Sequence, residues 1–178
     1  DCDLQGIYQK KNIKTVLKAS EILQQNDYKI NDIHINNGLN RISLNTGLKG
    51  RWQVIQKKPM IICDTAHNEA ALCEVISQLT VMEYSDLHFI IGFSNDKNLE
   101  KISKLFPKDS KYYFVQSKVG RARDAKDVRD IFKLNNRCGD YYKSIENTIK
   151  YVKGVSKEND IIFIGGSTFV VSEIFDKN

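Results

Sequence analysis

Apolar positions keep two different rhythms along the chain, and the change comes near residue 50. Before it, Ile13, Val16, Leu17, Ile22 and Leu23, with Ala19 on the same face, predict a helix over 12–24, with Asn12 as a candidate cap. The stretch 28–44 carries Ile30, Ile33, Ile35 and Ile42 without a sustained period, so a short helix and a short strand are expected there. Thr46-Gly47-Leu48-Lys49-Gly50 breaks the pattern and reads as a linker.

Beyond the linker, short apolar blocks alternate with helical periods. Strands are expected at 60–63, 88–91, 112–115 and 161–164, with a weak one around Tyr141-Tyr142. Helices are expected at 69–81, 125–134 and 144–152, and a shorter one at 99–106 is closed by Pro107. Apolar blocks without polar alternation are what strands covered on both faces look like. Strands alternating with helices imply βαβ units. The fold class read from this is α/β, with a Rossmann-like, mainly parallel sheet flanked by helices.

Composition narrows the partners. A chain of 178 residues, 41% hydrophobic and 28% charged, has room for one cored domain or one domain plus a fragment. It opens on Asp1 with sequence that already reads as mid-domain, so a fragment is expected. The net charge of +5 favours anionic ligands such as nucleotides and polycarboxylates, although a solvated lysine-rich surface is the plainer account of it. No Lys/Arg block is interleaved with aromatics, so no nucleic-acid partner is expected. No apolar run approaches the roughly 20 residues that span a bilayer, so no membrane partner is expected either. Cys2, Cys63, Cys73 and Cys138 form no C-x-x-C pair and do not cluster with His34, His67 or His88. Reduced thiols in a cytoplasmic protein, with no metal site, are therefore expected.

Ligands of open parallel sheets gather beyond the carboxyl ends of the strands. Three such ends are polar or glycine-rich: Asp64-Thr65-Ala66-His67-Asn68, Gly92 through Lys97, and Gly165-Gly166-Ser167-Thr168. An acid, an imidazole, an ammonium and a hydroxyl are expected to converge on one rim. Each also has a plainer reading: Asp64 as a turn former, His67 as a turn residue, Lys97 as surface, and Gly165-Gly166 as a tight turn. Neither G-x-G-x-x-G nor the phosphate loop G-x-x-x-x-G-K-[ST] occurs.

Five ordered elements carry a resemblance. Leu4-Gln5-Gly6-Ile7-Tyr8-Gln9-Lys10-Lys11-Asn12 resembles L-x-G-x-[HY]-Q-x-x-N, and Gly50-Arg51-Trp52-Gln53-Val54-Ile55 resembles G-R-[FW]-x-x-[IV]. Pro59 through Asn68 resembles P-x-x-[IV]-x-D-x-A-H-N, with Thr65 where many members have Gly. Gly92 through Asn98 and Gly166 through Glu173 resemble G-x-x-x-D-K-[DN] and G-S-x-[FY]-[LV]-[VA]-x-E. Together they are similar to the folylpolyglutamate/dihydrofolate synthase branch of the Mur ligases, over essentially the whole chain.

The resemblance implies that residues 1–49 are the tail of a central ATPase domain plus linker, and that 50–178 form the carboxyl-terminal α/β domain. It implies an ATP-dependent ligase that adds L-glutamate to dihydropteroate or folate through an acyl phosphate. Gln9 and Asn12 match adenine-facing positions, Arg51 a phosphate contact, and Asp64 a ribose contact. His67 matches a catalytic position near the phosphates or the incoming amino acid. Lys97 and Ser167 match positions that hold the glutamate carboxylates. ATP and Mg2+ are the implied cofactors, with the magnesium ligands expected in the amino-terminal ATPase domain of the same protein. On this reading the 178 residues alone are inactive. A cell-wall amino-acid ligase and a standalone module binding a nucleotide or acidic ligand remain open alternatives.

Overall fold

The computed structural model describes residues 1–175, so the last three residues of the 50–178 span lie outside the described residues. Three helices come first: α1 (Gln9–Gln25), α2 (Asp32–Asn40) and α3 (Ile42–Thr46). The rest alternates: β1 (Gln53–Lys57), β2 (Met60–Cys63), α4 (Glu69–Thr80), β3 (Leu87–Ile91), α5 (Leu99–Ile102) with a following 3-10 turn, β4 (Lys111–Val115), α6 (Ala125–Leu134), β5 (Gly139–Tyr142), α7 (Ile145–Val155), β6 (Ile161–Gly165) and α8 (Thr168–Phe175).

The six strands lie in the order β1-β2-β6-β3-β4-β5. β1 pairs antiparallel with β2, and the other four pairings are parallel. The mainly parallel α/β fold read from the sequence is the fold observed. The two-residue strand period explains why the central blocks are apolar throughout. Ile62, Phe89 and Phe163 enter one core with Leu72, Val75, Val128 and Phe132, while Ile61, Ile90, Ile162 and Ile164 enter the other with Val152, Val170 and Val171. Each fully buried side chain of this size contributes about 1.5–3 kcal/mol.

Several local expectations need correction. Asn12 does not cap α1, which begins at Gln9 behind Tyr8 with no side-chain cap. The Asn12 amide instead donates from Nδ2 to Gln9 Oε1 at 2.8 Å. The segment 28–44 holds helices and no strand, because Asn31 and His34 close a reciprocal capping box at the start of α2. β1 was hidden by its Gln-Val-Ile-Gln-Lys composition, which suits an edge strand carrying a register shift between Val54 and Gln56. The helix expected over 99–106 splits into α5 and the 3-10 turn. α8 is rich in Val and Ile, which mutes its helical signal.

Helices α1 to α3 bury little. Gln9 is the only buried residue of α1, and Val16, Leu17, Ile22 and Leu23 are 38–47% exposed. The apolar face legible in the sequence is real, but the chain itself does not cover it.

Candidate functional site

The sheet places the carboxyl ends of β2, β6 and β3 side by side. The Asp64 amide donates to the Ile164 carbonyl at 3.1 Å, and the Gly92 amide to the Gly165 carbonyl at 3.3 Å. Gly166 has φ +84°, and a Cβ there would lie 2.8 Å from the Gly92 carbonyl oxygen. The glycine pair is thus required for close strand approach, as the plainer reading held.

Asp64 follows β2 and is buried, with three donors on its carboxylate. Oδ2 accepts from the Trp52 amide at 2.7 Å and from the Tyr8 hydroxyl at 2.6 Å, and Oδ1 accepts from the Ala66 amide at 2.8 Å. Burial pushes its carboxyl above the usual range, against the pull of those three donors and of Arg51. Burial also raises the Tyr8 phenol, and the Asp64 carboxylate adds to that. The turn before β1 depends on this anchor. Gly50 has φ +70°, where a Cβ would meet Val171 and Thr65, and Trp52 is held at φ +49°.

Arg51 points from that turn, and its Nη1 donates to Thr65 Oγ1. Thr65 is not among the positive-φ residues, so the turn accepts it where the family pattern has Gly. Nδ1 of His67 lies 2.9 Å from the Thr65 carbonyl oxygen, which can only accept, so Nδ1 carries a proton and donates it. The tautomer with its proton there leaves Nε2 as the ring's acceptor. Asn68 caps α4 by accepting the Ala71 amide at 2.9 Å, so a helix amino terminus faces the same space.

These groups line one cleft of about 350 Å³, together with Tyr8, Asn12 and Glu74. Arg51, Asp64, His67 and Asn12 are thus brought together. Gln9 is buried and joins the cleft through its bond to Asn12. Lys97 and Ser167 do not share this opening. Lys97 Nζ lies 2.6 Å from Asp96 and lines a separate depression of about 440 Å³ with Asn98 and Arg123. Ser167 is buried, and its Oγ accepts from the Phe169 amide at 3.2 Å at the start of α8. The expected single rim is corrected: the cleft and the Lys97 depression are separate, and the buried Ser167 lines neither. The loop after β3 is drawn away from the cleft because it is zipped to the loop after β4. The Asn95 amide donates to the Arg121 carbonyl at 3.0 Å, and the Arg123 amide donates to the Phe93 carbonyl at 2.8 Å.

That pairing adds two cations the sequence reading passed over. Arg121 lies with its guanidinium 4.8 Å from the Phe169 ring centre, and Arg123 Nη2 donates to the Asn95 carbonyl at 3.2 Å. Their signal is two arginines in three residues after β4, whose carboxyl end was not counted among the polar strand ends. At the opposite edge, Asp86, His88 and Asp160 bring ligand-type atoms within 4.8 Å of one another. There His88 contacts Tyr113 and Asp160 at 3.2 Å each, and Lys111 pairs with Asp86 at 2.8 Å.

Comparisons with known proteins agree with this architecture. The family described as Mur ligase, glutamate ligase domain, matches residues 50–168. The dihydrofolate synthase/folylpolyglutamate synthase of Bacillus subtilis is 26% identical over 173 residues, covering 95% of this chain and 39% of the relative. The structure of Mycobacterium tuberculosis folylpolyglutamate synthase complexed with ADP superposes with a TM-score of 0.81 at 15% identity, over 99% of this chain and 42% of that one. A bifunctional folylpolyglutamate synthase/dihydrofolate synthase solved with Mn, AMPPNP and L-glutamate bound superposes with a TM-score of 0.75 at 20% identity, over 88% and 37%. The chain spans well under half the length of these relatives. No described helix is long and apolar enough to cross a membrane. Matched over most of its length by the family description, the chain belongs to the Mur ligases, as their glutamate ligase domain.

Proposed function

We propose that the chain is the glutamate-binding half of an ATP-dependent folylpolyglutamate/dihydrofolate synthase. The observation that carries this reading is the pair of loci on one sheet edge: a cleft with Arg51 and His67, and a charged depression where Lys97 and Arg123 meet Asp96 and Glu100. In the cleft, Asn12, with Gln9 behind it, meets the adenine, whose edge suits an amide's donor and acceptor. Arg51 meets the phosphates, and a guanidinium keeps its charge at any working pH. Asp64 approaches the ribose with the acceptor capacity left by its three donors.

Lys97 and Ser167 hold the carboxylates of the incoming glutamate, with Arg121 and Arg123 close by. A desolvated carboxylate needs such partners. ATP converts the dihydropteroate or folate carboxylate to an acyl phosphate, and the glutamate amine attacks it. His67 Nε2 takes the proton that the amine sheds.

The residues of the cleft do not suit magnesium. Asp64 is already bonded to three donors, and Glu74 is paired with Lys11. We assign the metal and the triphosphate cradle to a further domain of the same protein, and no step here runs through the metal. The uncovered apolar residues of α1 to α3 supply a surface for that domain. Split contacts imply that these 178 residues alone turn over nothing and bind ATP weakly.

The test is a pair of NMR titrations of the 178-residue chain. AMPPNP is expected to move signals of Asn12, Arg51 and His67, and L-glutamate those of Lys97, Arg121 and Ser167. Identical shifts from L-isoleucine, or no saturable shifts with either ligand, would overturn the reading. So would turnover of dihydropteroate, glutamate and ATP by the chain on its own.

A further inference from the structure

Thr65 stands in the cleft where the family pattern often has Gly, so its side chain adds contacts that the pattern does not require. The residue touches three other parts of the site. Its amide donates to the Gly50 carbonyl at 2.9 Å, its carbonyl oxygen accepts from His67 Nδ1 at 2.9 Å, and its hydroxyl accepts from Arg51 Nη1. A glycine would keep the first two, which belong to the backbone. The third belongs to the side chain alone.

Packing sets the direction of that hydroxyl. Thr65 is 8% exposed, and a Cβ on Gly50 would come within 2.9 Å of its methyl carbon Cγ2. Threonine branches at Cβ and is stiff at χ1, so a methyl lodged against Gly50 fixes where the hydroxyl points. Arg51, by contrast, is exposed, and its guanidinium enters no ion pair among the described residues. A side chain of that length sweeps a wide space unless something tethers it. The Thr65 hydroxyl is such a tether. It takes one N–H of the guanidinium fork and leaves the others for a ligand in the cleft that both residues line.

We infer that Thr65 is a positioning residue, whose buried hydroxyl holds the Arg51 guanidinium in the cleft before any ligand arrives. The hold stands on the geometry, and its use, presenting the guanidinium to the phosphates of a nucleotide, rests on the proposed function. Ordering a long side chain on binding subtracts from affinity, and a side chain already tethered avoids that loss. Removing the hydroxyl therefore weakens phosphate binding about three- to tenfold, the range that ordering one such side chain spans. The contact of His67 stays, because it is made with the Thr65 carbonyl.

The test compares Thr65→Val, Thr65→Ala and Thr65→Ser in the 178-residue chain. Valine keeps the branched shape and both backbone contacts but lacks the hydroxyl, alanine removes the hydroxyl with a different shape, and serine retains it. The first readout needs no ligand. The heteronuclear NOE at Arg51 Nε is expected to report an ordered side chain in wild type and Thr65→Ser, and a mobile one in Thr65→Val and Thr65→Ala. An Arg51 equally mobile in wild type and Thr65→Val overturns the hold. The second readout is a titration with AMPPNP, and with adenosine as the ligand lacking phosphates, followed by amide NMR. Thr65→Val is expected to weaken AMPPNP about three- to tenfold and to leave adenosine unchanged, while Thr65→Ser restores AMPPNP to within about twofold of wild type. In an Arg51→Met background, Thr65→Val is expected to add no further loss. An equal loss there, or a parallel loss of adenosine, means that Thr65 acts through packing and overturns the inference. An Arg51 ordered by the Thr65 hydroxyl in a chain that binds no AMPPNP saturably leaves the hold standing and overturns the proposed function instead.

Discussion

Removing the Asp64 carboxylate tests whether one buried acid anchors both the turn before β1 and the start of α1. In Asp64→Ala, the Trp52 and Ala66 amides lose acceptors at 2.7 and 2.8 Å, both in buried surroundings. A buried donor left unpaired costs about 1–3 kcal/mol, so the two together cost about 2–6 kcal/mol. Against a domain stability of about 5–15 kcal/mol, that is a large fraction. Trp52 is the only tryptophan and is 4% exposed, so its emission reports the anchor directly. Its φ of +49° is tolerated because the Asp64 bond holds the amide, and releasing that bond lets the turn relax. Urea unfolding followed by Trp52 fluorescence is expected to show a loss of about 4 kcal/mol and a red-shifted native spectrum. Tyr8→Phe deletes only the half-buried 2.6 Å bond and is expected to cost about 1 kcal/mol, with a smaller shift. A loss below about 1 kcal/mol in Asp64→Ala with unchanged Trp52 emission would refute the anchor.

Two further outcomes follow from the sheet. His88 is fully buried, and burial pushes its pKa below the usual histidine value despite the pull of Asp160. The unfolded chain then binds more protons than the folded one below about pH 6.5, so stability is full above that pH and lost as pH falls. His88→Gln is expected to flatten the stability profile between pH 7 and pH 5, and an unchanged slope would place the titration elsewhere. Gly166→Ala puts a Cβ 2.8 Å from the Gly92 carbonyl at φ +84°, so a cost of about 1–3 kcal/mol is expected in denaturant unfolding. Wild-type stability in that variant would show that the β6–α8 turn is not strained.

Legibility in the sequence followed how far each feature is local. The blocks Ile61-Ile62-Cys63 and Ile161 through Ile164 announced central strands, because burial on both faces leaves no polar alternation. β1 escaped notice because an edge strand needs less apolar character, and its two Gln residues blur the period. Arg51 and His67 were legible as chemistry from their ordered motifs, and the fold does bring them to one cleft. The separation of Lys97 was not legible, because it depends on pairing between the loops after β3 and β4, which are far apart in sequence. Tyr8 stood in the sequence only as one position of an ordered motif, and the folded chain alone shows its hydroxyl on Asp64.

The central claim is that α1 and the β2–α4 turn form half of a nucleotide pocket. Photolabelling the chain with 8-azido-ATP, then mapping adducts by mass spectrometry, tests it most directly. Labelling within 8–12 or 51–68 that excess ATP suppresses is the expected result. Labelling elsewhere, or adducts that ATP fails to suppress, would contradict it.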